Sequence, residues 1–195
     1  MKSNASGRDR IMQSAAQVLR AKGMTATKLS EIAAGAGMLA PSIYHHFKSK
    51  DVLVEHVMLE GIYKNTHYIV SAVEAKANGA TPEERLRTAI CAHVEFLLSD
   101  DDYSAAVARV FPELPEEMRG RILAAYTAFD NCWRDLIVAA CPNDGPVDPR
   151  VARKFLIAML DSAPMWYRSG KLKPQKIGEQ AAALFLKGFL ASGEG

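Results

Sequence analysis

In the stretch MLAPSIYHHFKSKDVL, residues 38–53, a tyrosine and two adjacent histidines are followed by a phenylalanine and then two lysines. Paired imidazoles suggest a metal site or an acid–base site. Adjacent residues on a helix, however, point some 100° apart, and no third ligand stands at a suitable spacing. The other candidates for chemistry are equally weak. Asp100, Asp101 and Asp102 follow Ser99 at the end of an apolar run, where such residues cap helices. His93 and Glu95 lie two apart and share no helical face. Cys91, Cys132 and Cys141 show no CxxC spacing and read as reduced thiols. There is no nucleophile motif and no phosphate loop. The expectation is a protein with no catalytic residues, no metal and no cofactor; an all-α enzyme or a DNA-independent helical adaptor are the alternatives.

Charge points the Tyr-His-His-Lys stretch towards a different chemistry. The 195 residues carry a net charge of only +2. Residues 1–50 nevertheless hold eight Lys and Arg against Asp9 and Glu31. A basic first quarter on an acidic remainder suits a module that binds a polyanion. A 49% hydrophobic and 24% charged composition is that of a globular chain. No apolar run approaches a membrane span, and MKSNASGRDR lacks the apolar core of a secretory signal. A cytoplasmic protein without membrane partners is expected.

The elements that must position these residues are helices. Ser6 and Asp9 have capping-box spacing before Ile11, Met12, Ala15, Ala16 and Leu19, and Gly23 ends that helix. A short helix over 28–34 is broken by GAG at 35–37. Another begins near Ala40 or Pro41 and continues through Phe47. Ser49 caps a long fourth helix reaching about residue 76. Thr81 and Glu84 form a capping box for 81–98. Further helices are expected over 102–111, 115–140, 148–168 and 174–191. No segment alternates with a strand's period. The fold class is all-α, about nine helices.

Two short helices joined by a glycine-containing turn and packed on a longer first helix make a helix-turn-helix pattern. Thr27, Ile32, Ala33, Ala36, Gly37, Tyr44, Phe47, Lys48, Lys50, Asp51 and Leu53 stand at offsets that resemble the TetR family of transcriptional regulators. The match covers roughly residues 8–55. It implies a DNA-binding domain over 1–50, an effector-binding and dimerisation domain over 51–195, a double-stranded operator, a small-molecule effector and a homodimer. Thr27, Lys28, Tyr44, Lys48 and Lys50 would then grip phosphate, and Ser30, Ala40, Pro41, Ser42 and His45 would face base edges. The sequence departs from the family pattern at Lys28, Leu39 and Pro41. Lys28 cannot accept a backbone N–H bond, so the cap of the second helix must shift to Thr27 or be lost.

In the larger domain, Met58, Tyr63, His67, Phe96, Phe111, Tyr126, Phe129 and Trp133 form a mixed Met/aromatic set. Such a set suits a pocket for an apolar or amphipathic effector. The segment MWYRSGKLKP resembles members that sense acyl-CoA thioesters, with Arg168, Lys171 and Lys173 placed to meet phosphate. Phe155, Met159, Ala163 and Trp166, with Ala182, Leu186 and Phe189, make two broad apolar faces. Paired with those of a second subunit, they would build a four-helix dimer interface.

Overall fold

In the computed structural model, the described residues are 6–76, 78–140, 147–170 and 172–190, without the side chains of 189 and 190. They form α1 (Gly7–Ala26), α2 (Leu29–Gly35), α3 (Ala40–Ile43), α4 (Lys50–Ala75), α5 (Pro82–Leu97), α6 (Asp102–Val110), a 3₁₀ turn (Phe111–Glu113), α7 (Glu116–Ala125), α8 (Thr127–Ala140), α9 (Pro149–Asp161), α10 (Ala163–Trp166) and α11 (Pro174–Leu190). No strand occurs among them.

The caps explain where helices begin. The Ser6 hydroxyl accepts from the Asp9 N–H at 3.2 Å, and the Asp9 carboxylate accepts from the Ser6 N–H in return. Thr81 and Glu84 make the same reciprocal pair ahead of Pro82. Ser49 accepts from the Val52 N–H at the start of α4.

The count exceeds nine because two expected helices are broken. Pro164 lacks an N–H and splits 148–168 into α9 and α10. The segment 115–140 divides at Tyr126, whose ψ of 1° leaves the helical well. α1 is interrupted at Gly23, whose φ of 75° is left-handed.

The chain forms two compact units. The first takes residues 6–63 and 100–126, so the helix-turn-helix segment shares a core with α6, the 3₁₀ turn and α7. Ile11, Ala15 and Leu19 of α1 are buried with Ile32 and Ala33 of α2, Ile43 of α3 and Phe47. Arg20 pairs with Asp102 at 3.2 Å, Gln13 donates to Asp102, and the Glu113 carboxylate accepts from the Met24 N–H at 2.8 Å. This grouping cuts across the 50/51 division expected from the sequence. The second unit takes residues 64–99 and 127–190, with α11 packed against α5 and α5 against α8 and α9.

Tyr103 on α6 gives the first unit an alkaline limit. Its ring is buried, and burial, reinforced by the Glu60 and Asp101 carboxylates, pushes the phenol up to about 12. The unfolded chain ionises near 10. This contribution to stability is therefore intact below pH 10 and is lost as pH rises from about 10 to 12. Urea unfolding across that window should show a falling midpoint for wild type and a flatter profile for Tyr103→Phe. Equal slopes would remove Tyr103 as the cause.

Candidate nucleic-acid interface

The turn between α2 and α3 is set by backbone geometry. Gly37 adopts φ 67°, its N–H donates to the Ala34 carbonyl, and the Met38 N–H donates to the Ala33 carbonyl at 2.9 Å. This is a Schellman closure, and a β-carbon at Gly37 would strain it. Buried Ser14 of α1 donates to the Ile32 carbonyl at 2.7 Å, which fastens α2 onto α1.

α3 is shorter than the expected run to Phe47. After Ile43 the N–H groups of Tyr44, His45 and His46 bond three residues back, a tightened 3₁₀ geometry, before Phe47 returns to the Ile43 carbonyl. The reward is burial of Phe47, 1% exposed, with its ring edge-on to His56 at 5.6 Å and the Arg8 guanidinium 5.1 Å over its face.

That anchoring leaves a defined outer surface. Lys28, Ser30, Pro41, His45 and Lys48 are exposed, Tyr44 is 60% exposed, and Ala40, Ser42 and Lys50 are half-buried. Thr27 is corrected: its side chain is buried, and its hydroxyl donates to the Gly23 carbonyl at 2.6 Å. Its one donor is committed to the end of α1 and so is not offered to phosphate, and α2 starts at Lys28 with no side-chain cap. The cap at Lys28 is lost, and only the Glu31 carboxylate bends back to the Lys28 N–H at 3.3 Å. A hydrogen bond from Lys22, then the Lys28 N–H, holds the Glu31 carboxyl below its usual range.

The expected effector residues fall into both units. Met58 is fully buried in the core of the first, which also holds exposed Tyr63 and half-buried Phe111 and Tyr126. The Arg119 guanidinium lies 5.9 Å from the Phe111 ring centroid. In the second unit His67 is exposed, and half-buried Phe96 lies against Tyr68 at 5.8 Å. Phe129 and Trp133 are buried and do come together, with ring centroids 6.1 Å apart.

Their common neighbour is His93, whose ring lies 5.6 Å from Phe129 and 5.5 Å from Trp133. Completely buried His93 reaches Asn65 through Nδ1 at 3.0 Å and Asp161 through Nε2 at 3.0 Å. Sequence reasoning missed this cluster because the partners lie 28 and 68 residues away in the chain. The one local signal was a histidine among the buried positions of α5. The Trp133 indole N–H is buried with no acceptor among the described residues. A separate cleft of about 410 Å³ in this unit is lined by Val70, Val73, Leu136 and Ala139, with Glu74 and Arg85 among its charged residues, and contains none of the expected set. Burial pushes the Cys91 and Cys132 thiols up; Cys141 lies outside the described residues.

On the expected dimer faces, Phe155 (72% exposed), Met159 and Trp166 stand outward, with Val151 and Leu184. Ala163, Ala182 and Leu186 are corrected: all three are buried against their own unit, which leaves them no surface for a second copy. The side chain of Phe189 lies outside the described residues, as does Lys171.

Residues 11–57 match the family model described as bacterial regulatory proteins, tetR family. Residues 79–189 match the tetracyclin repressor-like C-terminal domain. The HTH-type transcriptional repressor KstR2 of Mycolicibacterium smegmatis is 26% identical over 207 residues, spanning 96% of this chain and 93% of its own. Among solved structures, the superantigen PfiT superposes with a TM-score of 0.77 at 27% identity, covering 94% of this chain and 97% of its own. AibR in complex with isovaleryl coenzyme A and operator DNA gives 0.76 at 23%, covering 92% and 97%. With both its helix-turn-helix and its helical C-terminal portion matched, the chain belongs to the TetR family and is a DNA-binding transcriptional regulator.

Proposed function

We propose that the protein is a repressor that holds a palindromic operator as a homodimer and lets go when a small apolar or amphipathic effector, an acyl-CoA or lipid-like molecule, binds its helical second unit. The observation that carries the DNA half is the exposure over 28–48, where Lys28, Ser30, Pro41, Tyr44, His45 and Lys48 are exposed and Ala40 and Ser42 half-buried. Tyr44 presents a hydroxyl donor, and Lys28, Lys48 and Lys50 supply charge, so these residues fix position on the phosphates. The small and polar side chains between them are left to meet base edges. The likeness to KstR2 repressors supports repression over activation.

The effector half rests on Trp133 and Phe129, a buried aromatic pair with an unsatisfied indole N–H that a ligand oxygen would satisfy. AibR, a fold neighbour, takes a coenzyme A thioester together with operator DNA. Exposed Arg168 and Lys173 offer cations for the phosphates of such a ligand. Phe155, Met159 and Trp166 supply the dimer's apolar stripe, and the two-fold axis they impose predicts the operator's symmetry. α4 is common to both units, with residues 50–63 in one and 64–75 in the other, and is a continuous helical route from effector to operator. The site is a cytoplasmic regulator's, with no catalytic role assigned to it.

The test uses gel shifts on the cognate operator and on scrambled duplex at several salt concentrations. Tyr44→Phe should weaken binding to both duplexes alike. Lys48→Ala, which removes one phosphate contact from each half-site, should lower the salt slope by about two. Ser42 or His45 substitutions should change base preference instead. Unchanged affinity for every variant would overturn the docking arrangement.

A further inference from the structure

Leu39 is among the most exposed large apolar residues described, at 77%, although it sits in the turn of the helix-turn-helix, just before α3. Nothing local explains a leucine there. It holds the position before α3 where a serine or aspartate would satisfy free N–H groups, and its side chain makes no such bond. It adds nothing to the core, which Ile43 and Phe47 already fill from the same segment. It is also not loosely held. The Schellman closure at Gly37 fixes the approach, the backbone of Leu39 is extended at φ −83° and ψ 146°, and its carbonyl accepts from the Ser42 N–H at 2.9 Å. The isobutyl group is therefore presented to solvent from a rigid turn.

What surrounds it decides what would cover it. Lys28 and Lys48 are exposed on the same unit, Pro41 follows two residues on, and exposed Tyr44 stands at the C-terminal end of α3. A surface with that charge is met by a polyanion. The apolar group that a duplex offers to an aliphatic side chain in the major groove is the C5-methyl of thymine. We propose that Leu39 is a specificity-determining residue that packs against a thymine methyl in each operator half-site. This rests on the operator-binding reading above. It adds a base identity to it, at one of the positions where the sequence departs from the family pattern.

The experiment changes the DNA before it changes the protein. The full-length homodimer would select duplexes from a random library. Each thymine of the selected operator would then be replaced by deoxyuridine, which removes only the methyl. Binding of wild type, Leu39→Ala and Leu39→Ser would be followed by fluorescence anisotropy. One thymine per half-site should stand out. Losing its methyl should weaken wild type about fourfold, and about fifteenfold when both half-sites are changed, as expected for one buried methyl each. The same replacement should leave Leu39→Ala and Leu39→Ser unaffected, with all three proteins melting alike. Equal methyl sensitivity in wild type and variants, or none at any thymine, would overturn the assignment while leaving operator binding intact. If the wild-type dimer retained no duplex, the operator reading would fall, and this inference with it.

Discussion

Phe47→Ala is expected to destabilise the first unit by about 3–5 kcal/mol and to abolish operator binding, because the side chain is both a core residue and the anchor of the recognition turn. Phe47 is 1% exposed, its ring meets His56 edge-on, and the Arg8 guanidinium covers its face. Its backbone N–H also closes the turn onto Ile43 at 2.9 Å. Truncation removes the aromatic contacts and the cation–π partner together, and it leaves a cavity beneath α3. Against a typical domain stability of 5–15 kcal/mol, such a loss takes a large share of the total. Chemical denaturation followed by circular dichroism should show the midpoint fall. Tyr44→Phe is the control, since Tyr44 is exposed and its change should weaken DNA binding at an unchanged midpoint. A Phe47→Ala protein that kept the wild-type midpoint would show that Phe47 does not anchor the turn.

The contrast between Phe47 and Thr27 shows what the sequence could carry. Local features were legible because their partners are local: Ser6 with Asp9, Thr81 with Glu84 and Ser49 with Val52 are three-residue signals. Thr27 fits the family pattern equally well, yet its hydroxyl turns inward to Gly23, four residues back. A threonine at a helix junction has two helix ends to serve, and spacing alone does not say which it takes. The same ambiguity governs the C-terminal helices. Ala163, Ala182 and Leu186 are as apolar as Phe155 and Met159, but only packing decides which side of each helix faces its own unit. Pro164 could have been read as a break. Tyr126 could not, since neither glycine nor proline marks it.

What lay furthest from view was the polar cluster at the heart of the second unit, and it yields the other large effect. His93→Ala is expected to cost about 2–5 kcal/mol, whereas Asp161→Ala, which opens little cavity but leaves the buried His93 Nε2 without its partner, should cost about 1–3 kcal/mol. The two partners differ in what they lose. Asn65 is buried at 7% exposure and has His93 as its side-chain partner, so removing the imidazole strands a buried amide. The Asp161 side chain is 46% exposed, so water replaces the histidine. His93→Leu separates the polar loss from the cavity. It fills most of the space that alanine leaves empty, so its remaining cost, about 1–3 kcal/mol, is that of the orphaned Asn65. The double variant Asn65→Leu/His93→Leu removes both polar groups and should recover part of that cost, giving a coupling of about 0.5–3 kcal/mol in a double-mutant cycle. Urea denaturation of the four proteins measures it. Additive losses would mean that Asn65 and His93 do not depend on each other. A loss from Asp161→Ala that exceeded that from His93→Ala would move the weight of the cluster from α4 to α9. With coupling confirmed, the same variants separate stability from signalling. His93 bridges α4, which the two units share, and α9, so under the proposed effector mechanism His93→Leu should shift operator release beyond what its stability loss explains.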